Sequence, residues 1–268
     1  MRIAVLSDIH GNSFALEAVL EDIAGQSVDE IVVAGDLVNL FPNPRKSREI
    51  LKGLDGRLLQ GNHEYYLYTA DTPEAPEWMG SERFRPARWT AAQFSPAEKA
   101  EMMALPWHYT LPGLFIAHAS ERNLFDNVID STTDEELETY FPATNAALIV
   151  RGHNHHWLER DWGGRRILSL NACGLPLNDE VDAPYTVLTR DNTGSWVYEK
   201  RCVRYDHAAA LRTMDEAYIA NVGPVGRIFR RELQTARGAL SPFFKLYSDR
   251  MQAGEISLQA AVEAFLED

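Results

Sequence analysis

The sequence predicts an α/β protein, because short apolar runs ending in polar residues alternate with stretches whose apolar residues fall on one helical face. Three observations carry this. Residues 2–7, RIAVLS, are apolar on both faces, as in a strand covered on both sides. Beyond HGN, Leu16, Val19, Leu20 and Ile23 recur at i, i+3, i+4 and i+7, one face of a helix. Two further apolar runs, EIVVAGD and RLLQGN, read as strands and are separated by the loop LVNLFPNP and a helix from about Arg45. An open sheet of such units binds its ligands at the carboxyl ends of its strands.

Residues 65–106 read differently, with Tyr, Trp and Pro among helix-forming segments, and the capping pattern SPAE runs from Ser95 to Glu98. This is expected to be a helical insertion over the sheet edge. Strands resume with LFIAHAS and ALIVRGHNHH, and WLERDWGGRRILSL reads as a hairpin turning on Gly163-Gly164. PYTVLTR and SWVYEKRCVRY around DNTG form a second antiparallel pair. From about Asp206 the pattern is helical to the end, punctuated by Pro224 and Ser241-Pro242. The expected organisation is one domain over 1–205 with its insertion at about 65–106, followed by a helical extension over 206–268.

Composition narrows the setting. With 268 residues the chain can bury a substantial core. The 26 basic and 39 acidic residues leave a net charge of −13, which repels polyanions and makes long nucleic acid a poor partner. Small phosphorylated substrates remain compatible with it. Cys173 and Cys202 are too few for a disulfide framework and suit reduced thiols. The N-terminal apolar stretch is broken at Asp8, far short of a signal peptide, and no stretch approaches the ~18 apolar residues of a membrane span. A cytoplasmic protein with no membrane partner is the expectation.

Five strand exits carry polar groups: Asp8 and His10, Asp36, Asn62 and His63, His118, and His153 with His155. Each has an ordinary reading when taken alone, since an aspartate after a strand is commonly a turn residue and a single histidine commonly a hydrogen-bonded core residue. Chance is a poor account of all five together. Carboxylate, imidazole and amide donors without thiolate suit Mn²⁺, Fe, Zn²⁺ or Ni²⁺ alike. Seven of these eight residues taken as metal donors already exceed one tetrahedral site, and a carboxylate such as Asp36 is able to bridge two cations about 3.5–4 Å apart. Gly11, Gly35, Gly61 and Gly152 beside the ligands permit close turns.

The blocks DIH, GD, GNHE, AH and GHNH, in that order across residues 8–155, resemble the calcineurin-like metallophosphoesterases. The nearer likeness is to compact bacterial and archaeal phosphodiesterases, including diadenosine-tetraphosphatase-like proteins, which open with similar SDIHGN segments. The resemblance implies a four-layer β-sandwich flanked by helices and two divalent metal ions, with manganese among the candidates. It implies that Asp8, His10, Asp36 and His155 bind one ion and that Asp36, Asn62, His118 and His153 bind the other. His63 would be the non-ligand catalytic histidine facing the leaving group. The implied activity is hydrolysis of phosphodiesters or phosphomonoesters, nucleotides among them, by a hydroxide bridging the ions. The competing reading is a non-catalytic metal-binding interaction scaffold of the same fold, which would show first as missing ligands or a replaced histidine.

Departures from the family pattern matter too. Asn39 stands where protein phosphatases of the superfamily carry an aspartate that orients the histidine, and both of their substrate-clamping arginines are absent, which argues against a protein phosphatase. LNACGLPLND replaces the small-residue stretch common after the last histidines, which places Asn171, Cys173 and Gly174 near the site. In the insertion, Tyr65, Tyr66, Tyr68 or Trp89 would stack on a base and Arg83, Arg85 or Arg88 would meet a distal phosphate, unless these side chains simply seal the cap. Arg227, Arg230 and Arg231 in the tail read as a solvated face, and the tail also offers a surface for a homo-oligomer.

Overall fold

The computed structural model describes residues 1–70, 72–73 and 75–267; Asp71 and Glu74 of the insertion and the terminal Asp268 lie outside the described residues. The first half runs β1 (Arg2–Leu6), α1 (Ser13–Ala24), β2 (Glu30–Val33), α2 (Pro44–Lys52), β3 (Arg57–Leu58) and α3 (Asn62–Thr69). The insertion adds two short 3-10 turns, α4 (Arg85–Ala91) and α5 (Pro96–Met103). Then come β4 (His108–Leu111), β5 (Leu114–Ala117), α6 (Asp134–Tyr140), β6 (Leu148–Arg151), β7 (Leu158–Trp162), β8 (Arg165–Ser169), β9 (Ala183–Arg190) and β10 (Trp196–Val203). The chain closes with α7 (His207–Thr213), α8 (Glu216–Val222), α9 (Val225–Thr235), α10 (Leu240–Gln252) and α11 (Leu258–Glu267).

Two five-stranded mixed sheets result, ordered β10-β9-β1-β2-β3 and β4-β5-β6-β8-β7. Alternation along each strand decides the layers, since successive side chains point to opposite faces. Ile3, Val5 and Val32 of the first sheet meet Ile116, Val150 and Leu168 of the second in a buried sandwich core. Ala4, Leu6 and Val33 point the other way, onto Leu16, Val19 and Ile23 of α1. On the far side Phe115, Ile149 and Ile167 bury Leu137 and Phe141 at α6. Helix, sheet, sheet, helix: the four-layer sandwich is present. No helix of the described residues is long and apolar enough to cross a membrane.

The structure differs from the sequence reading at three places. RLLQGN is a strand only at Arg57–Leu58, because Gly61 caps a helix that begins at Asn62; the Glu64 carboxylate turns back to accept from the Gly61 N–H at 2.8 Å. LFIAHAS is preceded by an antiparallel partner, β4, which the sequence reading does not include and whose alternating exposure marks a sheet edge. Helix α6 opens with Thr133 and Glu136 in a reciprocal capping box, a T-x-x-E signal present in the sequence.

The C-terminal helices lie against the sandwich. Tyr218, Val222, Val225 and Phe229 form a buried cluster with Leu40, Phe41 and Leu175, which belong to loops at the strand exits. The Tyr218 hydroxyl donates to the Leu40 carbonyl. Trp89 also goes into this contact, 5.1 Å from the Tyr218 ring and edge-on to it, so it seals the insertion onto the tail and does not line the cavity.

Candidate metal centre

All eight side chains singled out at the strand exits meet at one rim. Asp8 and His10 follow β1, Asp36 follows β2, Asn62 and His63 open α3, His118 follows β5, and His153 and His155 follow β6. Backbone pairing draws these loops together. The N–H groups of Asp8 and His10 donate to the carbonyls of Gly35 and Asp36 at 3.1 and 2.9 Å, and the Gly152 N–H donates to the His118 carbonyl at 2.9 Å.

The turns are tight enough to bend the backbone into the left-handed region. Asp8, His10, Asp36, His153 and His155 all have φ between 54° and 73°. For residues with a Cβ this conformation costs about 1–3 kcal/mol each, and it persists where surrounding structure over-determines it, typically at functional sites. Two glycines make the close approach feasible: a Cβ on Gly61 would lie 2.1 Å from Asp36 Oδ1, and one on Gly152 would lie 1.9 Å from Ser7 Oγ.

The donor atoms form interlocking groups. His10 Nε2 and His155 Nε2 are 2.9 Å apart, and Asp8 Oδ1 lies 3.5 Å from the latter. Asn62 Oδ1 is 2.9 Å from both His118 Nε2 and His153 Nδ1, which are 3.2 Å from each other. Asp36 Oδ2 lies between the groups, 3.7 Å from His10 Nε2 and 3.4 Å from His118 Nε2. Neighbouring ligands at ~2.1 Å from one ion stand roughly 3.0–3.4 Å apart, so most of these separations match coordination edges, and the Asp8–His155 and Asp36–His10 distances of 3.5 and 3.7 Å are slightly longer. His63 Nε2 also approaches Asp36 Oδ2, at 3.8 Å, and geometry alone groups His63 with His10 and Asp36.

Partners behind the rings set the tautomers. His118 Nδ1 is 2.9 Å from the Ala34 carbonyl and His155 Nδ1 is 3.0 Å from the Leu175 carbonyl. A carbonyl only accepts, so each Nδ1 carries the proton and each Nε2 presents a lone pair to the centre. His118 Nε2 therefore faces Asn62 Oδ1, acceptor against acceptor. A cation between them resolves that conflict, and the donor set fits the divalent ions expected.

The electrostatics agree. Burial, then the charges of Asp8 and Glu64, push the Asp36 carboxyl well above its ordinary range. Asp8 is held well below its range: burial opposes this, but the hydrogen bond and charge of His155 outweigh it. Burial drives His10 and His153 well below the usual imidazole range and His118 down to about 4. Neutral imidazoles at His10, His118 and His153 and an ionised Asp8 are the protonation states that metal binding needs. Asp36 gives up its proton as an ion enters, and so does His155, whose pKa burial pulls down but the hydrogen bond and charge of Asp8 raise above the ordinary value.

Two further residues support the cluster. Glu64 is buried and its carboxylate accepts from the N–H groups of Gly61, Asp36 and Leu37 at 2.8, 3.0 and 2.9 Å, clamping the Asp36 loop to the start of α3. Burial still lifts it to about 7. Asn39, read as the loss of an orienting aspartate, does hold His63: its Oδ1 accepts from the Leu40 N–H and the Thr90 hydroxyl, so its Nδ2 donates to His63 Nδ1 at 2.7 Å. The His63 proton thus sits on Nε2, facing the centre. Burial, then the neighbouring imidazoles, lowers His63 to about 3.

A cavity of about 700 Å³ opens beside the cluster, between the insertion and the C-terminal helices. Of the insertion residues expected to meet substrate, Tyr66 and Arg83 line it; Tyr65, Tyr68, Arg85 and Arg88 do not. The Cys173 and Gly174 N–H groups donate to the carbonyls of Ser7 and Asp8, bracing the Asp8 turn from behind. Asn171 is buried there with no hydrogen-bond partner for its amide among the described residues, outside the cavity.

The model of the family described as calcineurin-like phosphoesterase matches residues 1–157, more than half of the chain. An uncharacterized protein of Methanocaldococcus jannaschii is 43% identical over 63 residues, which cover 24% of this chain and 26% of that protein, so the match spans about a quarter of the relative's length. A metallophosphoesterase from Sphaerobacter thermophilus superposes with a TM-score of 0.66 at 24% identity, covering 88% of this chain and 100% of that one. A hypothetical protein from Pyrococcus horikoshii OT3 gives 0.69 at 17% identity over 89% and 99%. At these identities the structural likeness is one of fold.

Proposed function

The chain belongs to the calcineurin-like phosphoesterase family, and on that premise we propose that it is a metal-dependent hydrolase of small phosphoric esters working with two divalent cations. Asp8, His10, Asp36 and His155 would hold one ion and Asp36, Asn62, His118 and His153 the other. The observation that carries this reading is the packing of lone pair against lone pair, with Asn62 Oδ1 2.9 Å from His118 Nε2 and Asp36 Oδ2 within reach of both groups. Bound cations supply Lewis acidity, which acidifies water and offsets the charge that grows on a phosphoryl oxygen.

The chain's own residues do the rest. Asp8 and Asp36 contribute the anionic donors, and the carbonyls of Ala34 and Leu175 keep two imidazoles in the ligating tautomer. His63 acts as a neutral donor: with Nδ1 occupied by Asn39, its Nε2–H points toward the centre, placed to hydrogen-bond an oxygen of the phosphoryl or leaving group. The insertion and tail restrict access, and a cavity of about 700 Å³ suits a small phosphoester such as a nucleotide better than a phosphoprotein. The catalytic unit spans 1–205, with its cap at about 65–106, and 206–268 supplies one wall of the cavity.

Metal-stripped protein reconstituted separately with Mn²⁺, Fe²⁺, Zn²⁺ and Ni²⁺ tests this. Activity on bis-nitrophenyl phosphate, nitrophenyl phosphate or a dinucleoside polyphosphate should return together with metal. Full metal content with no turnover of any of them would point to the interaction scaffold instead.

A further inference from the structure

Arg83 is treated differently from every arginine near it. Arg85 donates to the carbonyls of Asn221 and Ala220 at 2.8 and 2.9 Å, and Arg88 donates to those of Met79 and Ser81. Glu82, the adjacent carboxylate, is taken up by Arg85 at 3.2 Å and Arg88 at 3.7 Å. Arg83 makes no hydrogen bond or ion pair among the described residues. Its guanidinium lies over two rings instead, 5.6 Å from the Phe84 centroid and 4.7 Å from that of Phe244.

Phe84 belongs to the insertion and Phe244 to α10, so Arg83 is held where the two walls of the cavity meet. Stacking engages the faces of the guanidinium and leaves its edge donors free, the arrangement that suits planar recognition of a carboxylate or phosphate. The chain carries 39 acidic residues, yet none of the described ones is paired with this arginine, which lines the cavity that the metal ligands also line. An aromatic path joins Arg83 to the cluster along this lining, since the Phe84 ring beneath the guanidinium is 5.3 Å from that of Tyr66, which is 5.1 Å from the His63 ring.

We propose that Arg83 anchors a second anionic group of the substrate, so that the pocket selects phosphoric esters carrying a phosphate or carboxylate at the far end of an apolar or aromatic body. The assignment rests on the phosphoesterase reading of the same site and adds its substrate class. The scissile phosphoryl group sits at the metal ligands, the body lies along Tyr66 and Phe84, and the distal anion meets the free edge of Arg83.

The test uses metal-loaded protein and a non-hydrolysable pair, 4-carboxybenzylphosphonate and its neutral 4-carbamoyl counterpart, which differ in the distal charge alone. Calorimetry should show the carboxylate binding about ten- to a hundredfold more tightly, the range for a charge-assisted hydrogen bond. Arg83→Met should abolish the preference, Arg83→Lys should keep part of it, and Arg212→Met, at an exposed arginine that does not line the cavity, should keep all of it. A bisphosphonate of the same length separates the two sources, since the tighter of it and the carboxylate names the distal group. Equal binding of the pair by the unaltered protein, or a preference that survives Arg83→Met, overturns the proposal. Hydrolysis of the matching aryl phosphates is read separately: failure to turn over either one with every metal removes the phosphoesterase reading, while the binding preference still stands or falls on Arg83.

Discussion

Replacing Gly61 by alanine is the smallest change that should dismantle the centre. Gly61 has φ −109° and ψ 178°, an extended backbone that alanine adopts freely, so the effect is one of space. The added methyl would sit 2.1 Å from Asp36 Oδ1 and 2.4 Å from the Asp36 nitrogen, where ordinary contact begins at 3.4 Å. The Asp36 carboxylate must therefore retreat by about 1.3 Å from the first of these. That retreat breaks the 2.9 Å bond it accepts from the His63 N–H and removes the one oxygen that stands between both groups of donors. Forced overpacking costs about 1–3 kcal/mol, which for a chain of this size lowers the melting temperature by roughly 2–12 °C. A misplacement of ~1 Å at a reacting centre costs on the order of a hundredfold in rate. Gly61→Ala should accordingly stay folded by circular dichroism, lose at least half its bound metal by elemental analysis and fall about a hundredfold or more in kcat. Gly80→Ala, where a Cβ meets nothing within 4 Å, should change none of these. Full metal content and activity in Gly61→Ala would refute the shared position given to Asp36.

His63→Ala should lower kcat by roughly 10²–10³ without loss of metal, and elemental analysis showing fewer ions would make His63 a ligand. Glu64→Gln keeps the size of the side chain but turns an amide donor toward backbone N–H groups that now donate to both carboxylate oxygens. It should lower stability by about 2–4 kcal/mol, and a melting temperature equal to that of the parent would remove the clamp from the account. His155 has its pKa raised above the ordinary 6.5: burial pulls it down, but the hydrogen bond and charge of Asp8 outweigh that. In the metal-free protein this contributes stability that is complete below about pH 6.5 and is lost as pH rises through the higher folded value. Metal affinity runs the other way, because the proton must leave before Nε2 can ligate; calorimetry should show binding tightening with pH and releasing a proton, and affinity independent of pH between 6 and 8 would contradict it.

The fold class was legible because buried strands and an amphipathic helix leave different periodicities. RIAVLS and the Leu16–Ile23 face are unambiguous at that level, and the convergence of Asp8, Asp36 and His118 on one rim follows from where their strands stop. What escaped depends on contacts that no local pattern encodes. The left-handed backbone at Asp8, His10 and Asp36 is imposed by neighbouring loops. Trp89 gave no sign of whether it would face a ligand or Tyr218. Asn39 looked like a missing carboxylate, and its role emerges only once Leu40 and Thr90 are seen to occupy its oxygen. Glu64 and Thr133 were more accessible, since each sits at a helix start where a capping side chain is expected.

Anomalous diffraction from crystals of the Mn²⁺-loaded protein addresses the central claim most directly. Two peaks separated by about 3.5–4 Å, with Asp36 touching both, is the expected result. A single peak, or ions bound away from Asp36 and His118, would contradict it.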